Sequence, residues 1–151
     1  MRFNFFNLRQ SIAYYDVERD YINMPKKKSF KTVEGYYATL FHELVHSTGS
    51  EKRLNRNTII EMVEFGSEPY SIEELIAELG CAYLCFYAGI SRGEIKNSAA
   101  YISGWLKTLK NDKKFIVQAS GNAQRAVDYI LNIKELVVKN EVEQAELLVD
   151  D

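Results

Sequence analysis

Residues 36–49 read Tyr-Tyr-Ala-Thr-Leu-Phe-His-Glu-Leu-Val-His-Ser-Thr-Gly, a run that predicts a helix. On a helix, residues four apart lie about 40° apart around the axis, so the imidazoles of His42 and His46 can face one metal ion. Glu43 is turned about 100° from His42, which places its carboxylate beside such a metal rather than among its ligands. A solvated face is the alternative, but both histidines of the chain fall in this motif. The pattern therefore favours a zinc hydrolase.

A catalytic zinc ion needs a third protein ligand and keeps one position open. The candidates are Glu74 and Glu78, one helical turn apart in a second predicted helix. Glu74 is followed by Leu-Ile-Ala, the Glu-x-x-Ala form that is typical of the third ligand in Glu-type zincins, and Glu78 is then expected to accept a hydrogen bond from a ligating histidine. A competing interpretation joins Glu74 to Ser71 in a capping box, which would leave Glu73 or Glu78 to bind the metal.

Six blocks of the chain carry a wider pattern: residues 15–25, 36–49, 53–56, 73–80, 101–106 and 119–126. Their order and spacing resemble the metallopeptidase domain of the ArdC-type antirestriction proteins, which are found on plasmids, phages and integrative elements. The resemblance implies a zincin-like fold, zinc held by His42, His46 and Glu74, and Glu43 as the catalytic base. Full-length members also carry an N-terminal domain that binds single-stranded DNA. Nothing in these residues corresponds to it, so direct nucleic-acid binding is not expected of them.

Together these features predict a zinc-dependent metallopeptidase of the gluzincin type, related to antirestriction, that cleaves a protein or peptide substrate through a zinc-bound water. Glu43 is expected to take the water proton and return it to the leaving amine. The alternative is a non-catalytic zincin-fold module that binds a host defence protein or acts beside a DNA-binding domain. The presence of Glu43 favours catalysis, because a purely structural metal site needs no base.

Composition indicates one compact domain. With 151 residues, 46% of them hydrophobic, the chain can bury a single core, which we assign to residues 1–138, followed by an acidic, frayed tail at 139–151. The formal net charge of -2 gives no electrostatic footprint for nucleic acid, and the three lysines at 26–28 are expected in a solvated loop. No stretch reads as a membrane span or signal peptide, so a cytoplasmic protein is expected.

The chain is expected to form an α+β fold with a small N-terminal sheet and about four helices. Residues 13–15 and 21–24 predict two strands around a turn at 16–19, and 21–24 is the predicted sheet edge for an extended substrate. Residues 5–14 are ambiguous between an edge strand and a short helix.

Helices are predicted to follow the strands. The metal helix should run from residue 32 or 33 to Thr48, with Gly49 in the left-handed conformation that commonly ends a helix. Residues 55–70 read as a loop that can carry a short turn. The remaining helices are predicted at residues 72–89, 98–109 and 112–138.

Several other polar side chains have two interpretations each. Cys81 and Cys85 share a helical face with the two glutamates and could bind zinc, but core packing is favoured. Arg53 and Arg56 could bind a substrate carboxylate, although salt bridges that order the loop are favoured. Tyr36, Tyr37 and Tyr101 could donate to a reaction oxyanion, although a role as an amphipathic core residue is favoured for any single one. Residues that either line the cleft or pin a helix are Asn122, Gln124 and Arg125.

Overall fold

The computed structural model describes residues 4–6, 11–60, 67–90, 100, 102–105, 107 and 113–133. In chain order the elements are β1 (Phe5–Phe6), β2 (Tyr14–Asp16), β3 (Tyr21–Asn23), a short 3-10 turn (Lys27–Ser29), α1 (Val33–Thr48), α2 (Asn57–Ile60), α3 (Glu68–Tyr87) and α4 (Lys113–Leu131). The predicted α+β organisation, strands first and helices after, is confirmed. None of the described helices is both long and apolar enough to cross a membrane.

The described strands form one sheet in the order β1-β3-β2. β2 and β3 are antiparallel and pair Tyr15 with Ile22, which confirms the two strands predicted around the turn. The prediction that residues 21–24 form the sheet edge is wrong, because β3 also pairs in parallel with β1 and lies between its two neighbours. All three residues of β3 are buried, whereas those of β2 are partly exposed. Strand β2 stands at one end of the strand order, so it is an edge strand, and it also contacts helix α1.

Helix α1 has the predicted bounds. Thr32 caps its first turn by accepting a hydrogen bond from the backbone N–H of Gly35 at 2.9 Å. Gly49 follows the last residue but has φ −74°, so the left-handed conformation predicted for it is wrong. The position favours glycine for another reason. A Cβ there would lie 2.9 Å from Nη2 of Arg56 and 3.0 Å from Cβ of Ile59, closer than side chains pack.

Helix α3 begins at Glu68, four residues before its predicted start at 72. Ser67 accepts a hydrogen bond from the backbone N–H of Tyr70 at 3.4 Å. Pro69 stands in the first turn, where its missing N–H leaves no hydrogen bond unmade. Residues 68–70 thus belong to a helix and not to the predicted loop. The loop does carry a short turn, α2, while its residues 61–66 lie outside the described part of the chain.

The start of α3 decides between the two interpretations of Glu74. Ser71 lies inside the helix, and its hydroxyl donates a hydrogen bond to the carbonyl oxygen of Ser67 at 2.8 Å. Because Ser67 is the N-cap, Ser71 is not, and the capping-box interpretation is wrong. The Glu74 side chain is therefore available to the site.

The later helices complete the core. Helix α4 ends at Leu131 and not at residue 138, because Asn132 is left-handed (φ 54°) and the N–H of Ile133 bonds to the carbonyl oxygen of Asp128 at 2.9 Å. Of the predicted helix at 98–109, residues 102–105 are helical, and the tail at 139–151 lies outside the described residues. The buried side chains that join α1, α3 and α4 are Val45, Ile72, Leu75, Ile76, Ala77, Leu84, Ala119, Ala123, Ala126 and Val127.

The two cysteines belong to this interior. Cys81 and Cys85 are both buried on α3 and are not joined in a disulfide, with their sulfur atoms 4.0 Å apart. The thiol of Cys81 donates to the carbonyl oxygen of Ala38 on α1 at 3.2 Å. The predicted role in core packing is confirmed. Neither sulfur atom belongs to the group formed by His42, His46 and Glu74.

Candidate metal centre

Helices α1 and α3 bring together His42, His46 and Glu74. The Nε2 atoms of the two histidines are 3.0 Å apart. Each carboxylate oxygen of Glu74 lies 3.6 Å from one of them, Oε2 from His42 and Oε1 from His46. One ligand atom from each residue falls within 4.8 Å of the others, so these three side chains could hold one metal ion. Two nitrogens and one oxygen make the open donor set that suits zinc.

A second carboxylate lies behind each imidazole. Nδ1 of His42 is 3.5 Å from Oε1 of Glu78, the position that the sequence predicted for that residue. Nδ1 of His46 is 3.1 Å from Oε1 of Glu73. Glu73, considered as a substitute ligand, is therefore turned away from the three converging atoms. Sequence reasoning missed this role, although Glu73 and Glu74 are adjacent and must point about 100° apart on a helix.

Glu73 is buried, with 3% of its surface exposed, in a network of donors. Arg56 donates to both of its oxygens, Nη2 to Oε1 at 2.6 Å and Nε to Oε2 at 3.1 Å. The hydroxyl of Thr58 donates to Oε2 at 2.6 Å. Burial by itself would raise the pKa of Glu73, but the hydrogen bonds from His46 and Arg56 lower it to about 2. The salt bridge predicted for Arg56 is confirmed, and Glu73 carries a negative charge at neutral pH.

The same opposition acts on Glu74 and His46. Burial raises the pKa of Glu74, yet hydrogen bonding to His42 and the proximity of His46 hold that pKa below its ordinary value. Burial lowers the pKa of His46, but the hydrogen bond and charge of Glu73 outweigh it, so this pKa is raised. The centre is thus a largely buried, strongly interacting set of imidazoles and carboxylates, in which His42 and Glu74 keep part of their surface exposed.

A cavity of about 540 Å³ opens over the three converging side chains. Glu43 stands in its wall with 8% of its surface exposed, on the same helix as the histidines. Residues of edge strand β2 and of the turn after it also line the cavity. The lining residues are Ala13, Tyr14, Tyr15, Val17, Glu18, His42, Glu43, His46, Thr58, Ile59, Tyr70, Glu73 and Glu74.

Tyr70 is a cavity residue that sequence reasoning missed, because it fell in the predicted loop. Burial, followed by the charge of Glu74 and a hydrogen bond to it, raises the pKa of Tyr70 to about 12, so the hydroxyl stays protonated. Two of the tyrosines that the sequence offered as oxyanion donors do not line the cavity. Tyr36 packs edge-on against Phe30, and Tyr37 is exposed beneath the ammonium of Lys27. Tyr101 lies outside the described residues.

Arg53 binds the β2–β3 hairpin. It forms a salt bridge with Asp20, donates to the hydroxyl of Tyr15 at 3.1 Å, and bonds through Nε to the carbonyl oxygen of Ser47 at 2.6 Å. These contacts tie the β2–β3 turn to the end of α1 and confirm the predicted ordering role.

The polar block of α4 lies away from the cavity. Asn122 bonds to the carbonyl oxygen of Gln118, Arg125 bonds to Asn122, and Gln124 bonds to Asp128. None of the three lines the cavity, and these bonds are all to other residues of α4, so they fit the interpretation in which they pin the helix.

Comparison with known proteins agrees with this architecture. Residues 4–122 match the MPTase-PolyVal family, described as zincin-like metallopeptidases. The crystal structure of the antirestriction protein ArdC from plasmid R388 in its Mn(II)-bound form superposes with a TM-score of 0.70 and 40% identity, covering 85% of this chain and 47% of that one. Its metal-free form gives a TM-score of 0.68 and 39% identity over 86% of this chain. The predicted zincin-like fold is confirmed.

Sequence relatives extend the comparison. The uncharacterized protein y4eC of Sinorhizobium fredii is 34% identical over 135 residues, which are 89% of this chain and 43% of that protein. The DNA primase TraC of Escherichia coli is 35% identical over 132 residues, only 12% of its length. The chain thus spans less than half the length of these relatives. Fold, motif positions and similarity agree that this chain belongs to the zincin-like metallopeptidase family, as a domain of the ArdC type.

Proposed function

We propose that this domain is a zinc-dependent peptidase. The observation that carries the proposal is the convergence of His42, His46 and Glu74 on one point in the floor of a cavity, with Glu43 in the wall beside them. The donor set fits a divalent metal, and the carboxylates behind both imidazoles are the usual companions of metal-ligating histidines. The Mn(II)-bound structure of the ArdC relative supports a divalent ion.

The residues around the centre supply the remaining chemistry. A zinc ion bound there would lower the pKa of a coordinated water to about 7 and polarise a carbonyl group. Glu43 is the general base in this proposal: its carboxylate accepts the proton of the attacking water and returns it to the leaving amine. In this proposal the hydroxyl of Tyr70, which bonds to Glu74 in this structure, turns to donate to the negative charge that develops on the carbonyl oxygen.

A peptide substrate is supported by the shape of the cavity. One wall is the edge strand β2, and an extended chain can add to such an edge through backbone hydrogen bonds. Apolar side chains of Ala13, Val17 and Ile59 lie along the same cavity and offer contacts to substrate side chains. We therefore infer that the substrate is a protein or peptide bound in extended form.

A second candidate follows from the relatives. ArdC is named an antirestriction protein, and a module that binds a host restriction enzyme without cleaving it could use the same cavity. Such a role would place the protein in the cytoplasm. The match to a short part of TraC shows that domains of this kind also occur within larger DNA-processing proteins. The two candidates differ in one measurable respect, which is peptide cleavage.

The test combines metal analysis with a cleavage assay. Wild-type protein should retain about one zinc ion per chain. It should also cleave members of a broad peptide library, with the products detected by mass spectrometry. His42→Ala and His46→Ala should each abolish tight zinc binding and cleavage, whereas Asn122→Ala, a change on α4 at a residue that does not line the cavity, should alter neither. Stoichiometric zinc in both histidine variants would remove these residues from the metal site. Zinc binding without any cleavage would favour the binding module.

A further inference from the structure

Arg56 lies behind the candidate metal centre without touching the converging ligand atoms. We propose that Arg56 is a positioning residue. By donating to both oxygens of Glu73 it fixes the orientation of the His46 ring, and it thereby sets the affinity of the centre for its metal. The inference rests on the proposed function, because it takes His46 as a metal ligand.

The first step is the chain of contacts. Arg56 donates to both oxygens of Glu73, at 2.6 and 3.1 Å, in the two-pronged geometry that only a guanidinium provides. Oε1 of the same carboxylate faces Nδ1 of His46 at 3.1 Å. For Nε2 of His46 to bind a metal, the ring proton has to reside on Nδ1, and a carboxylate acceptor there fixes that tautomer. Arg56 thus acts on His46 through one intervening side chain.

The second step is the anchoring of Arg56 itself. Its Nη1 donates to the hydroxyl of Thr48 at 2.7 Å, and its Nη2 donates to the carbonyl oxygen of Val45 at 2.9 Å. Both acceptors belong to α1, the helix that carries His46. The contacts therefore close a loop from α1 through Arg56 and Glu73 on α3 back to His46, so the carboxylate is fixed relative to the ring that it must orient.

Gly49 gives independent support for this arrangement. A Cβ at Gly49 would stand 2.9 Å from Nη2 and 3.0 Å from Cζ of Arg56, so the absence of a side chain there makes room for the guanidinium. The backbone at Gly49 has φ −74°, a conformation open to any residue. Its glycine is therefore explained by the placement of Arg56 and Ile59 and not by backbone strain.

The burial of the pair explains why one partner cannot stand alone. Arg56 and Glu73 are 7% and 3% exposed, and an unpaired carboxylate at that depth would be strongly disfavoured. Without the guanidinium, Glu73 would have to rotate toward other donors. That rotation would remove the fixed acceptor behind His46.

The experiment measures metal affinity and coordination, not catalysis. Apo-protein is titrated with zinc in competition with a chromophoric chelator, and the Co(II)-loaded protein is examined by visible absorption. Arg56→Met should lower zinc affinity by roughly 10- to 100-fold and shift the Co(II) bands, as expected for loss of an outer partner of a metal ligand. Arg56→Lys should give an intermediate loss, because an ammonium cannot grip both oxygens. Gly49→Ala, which displaces the guanidinium while keeping its charge, should also weaken binding.

Arg53→Met is the matched control. It removes another partly buried arginine–carboxylate pair from the same loop, but one that faces Asp20 and not a candidate ligand. It should lower thermal stability while leaving zinc affinity and the Co(II) spectrum unchanged. Wild-type affinity in Arg56→Met, or an equal loss in Arg53→Met, would overturn the proposal. If Arg56→Met does not fold, Arg56→Lys and Gly49→Ala provide the comparison. If wild-type and His46→Ala proteins bind zinc alike, the metal site itself fails, and this inference fails with it.

Discussion

Gly80 of α3 lies so close to Val45 of α1 that a Cβ on the glycine would stand 2.7 Å from Cγ2 of Val45. Val45 is fully buried and immediately precedes His46, while Gly80 follows Glu78 by two residues. The close approach of these two helices is therefore what brings the histidines of one within reach of the carboxylates of the other.

Gly80→Ala should force the helices apart. Overpacking of this kind typically costs about 1–3 kcal/mol, so the free energy of unfolding in urea should fall by that amount. Zinc affinity should fall with it, because Glu74 moves away from both histidines. The matched control is Gly121→Ala on α4, where a Cβ would meet nothing within 4 Å. That change should be neutral or stabilising by about 0.5–1 kcal/mol, as for an exposed helical glycine. Equal effects of the two substitutions would show that the close contact does not limit the packing.

Asp20 provides a pH-dependent prediction. Hydrogen bonds from Arg53 hold the pKa of Asp20 below its ordinary value. Since the unfolded chain protonates this group at about pH 3.9, the ion pair stabilises the fold fully above that pH, and its contribution is lost as the pH falls through the lower folded pKa. Asp20→Asn preserves a side chain that tolerates the left-handed backbone found here, φ 54°. It should cost about 1–2 kcal/mol at pH 7.

The measurement is urea denaturation of wild-type and Asp20→Asn proteins from pH 7 down to pH 3. The difference in unfolding free energy between them should be constant near neutrality and shrink below about pH 4. A difference that stays the same across the whole range would rule out the ionised Asp20 carboxylate as its source.

The sequence predicted the convergence of the two histidines better than the contacts around them, and the reason is physical. Helical spacing alone determines that His42 and His46 share a face, so their convergence could be inferred locally. The partner of His46 could not, because Glu73 meets it only after α1 and α3 pack, and Arg56 joins them from a third segment. The preference for glycine at position 49 could not be predicted locally either, because it depends on the side chains of Arg56 and Ile59, which lie later in the chain.

The sheet shows the same division between local and long-range information. The alternation of residues around the turn predicted β2 and β3, but nothing local to residues 21–24 indicates that β1 would pair with their far side. Tyr70 falls in the predicted loop because Pro69 interrupts the residues before it, although proline is well tolerated in the first turn of a helix.

Substitutions of Glu74 and of Glu78 should differ in how much they weaken metal binding. Glu74 faces the Nε2 atoms of both histidines, whereas Glu78 approaches Nδ1 of His42, on the far side of the ring. Glu74→Ala should therefore lose zinc almost entirely, while Glu78→Ala should weaken binding by roughly 10- to 100-fold. Chelator competition measures both. Equal losses would leave no distinction between ligand and supporting residue, and the reverse order would assign the ligand to Glu78.

The most direct test of the peptidase proposal is a comparison of Glu43→Gln with wild-type protein. Glutamine keeps the size and burial of the side chain but cannot accept the proton of an attacking water. The variant should fold, retain about one zinc ion per chain, and cleave the peptides cut by the wild type at least about 10²-fold more slowly. Wild-type cleavage rates in zinc-loaded Glu43→Gln would contradict the assignment of Glu43 as the base, and absence of cleavage by the zinc-loaded wild type would contradict the peptidase proposal itself.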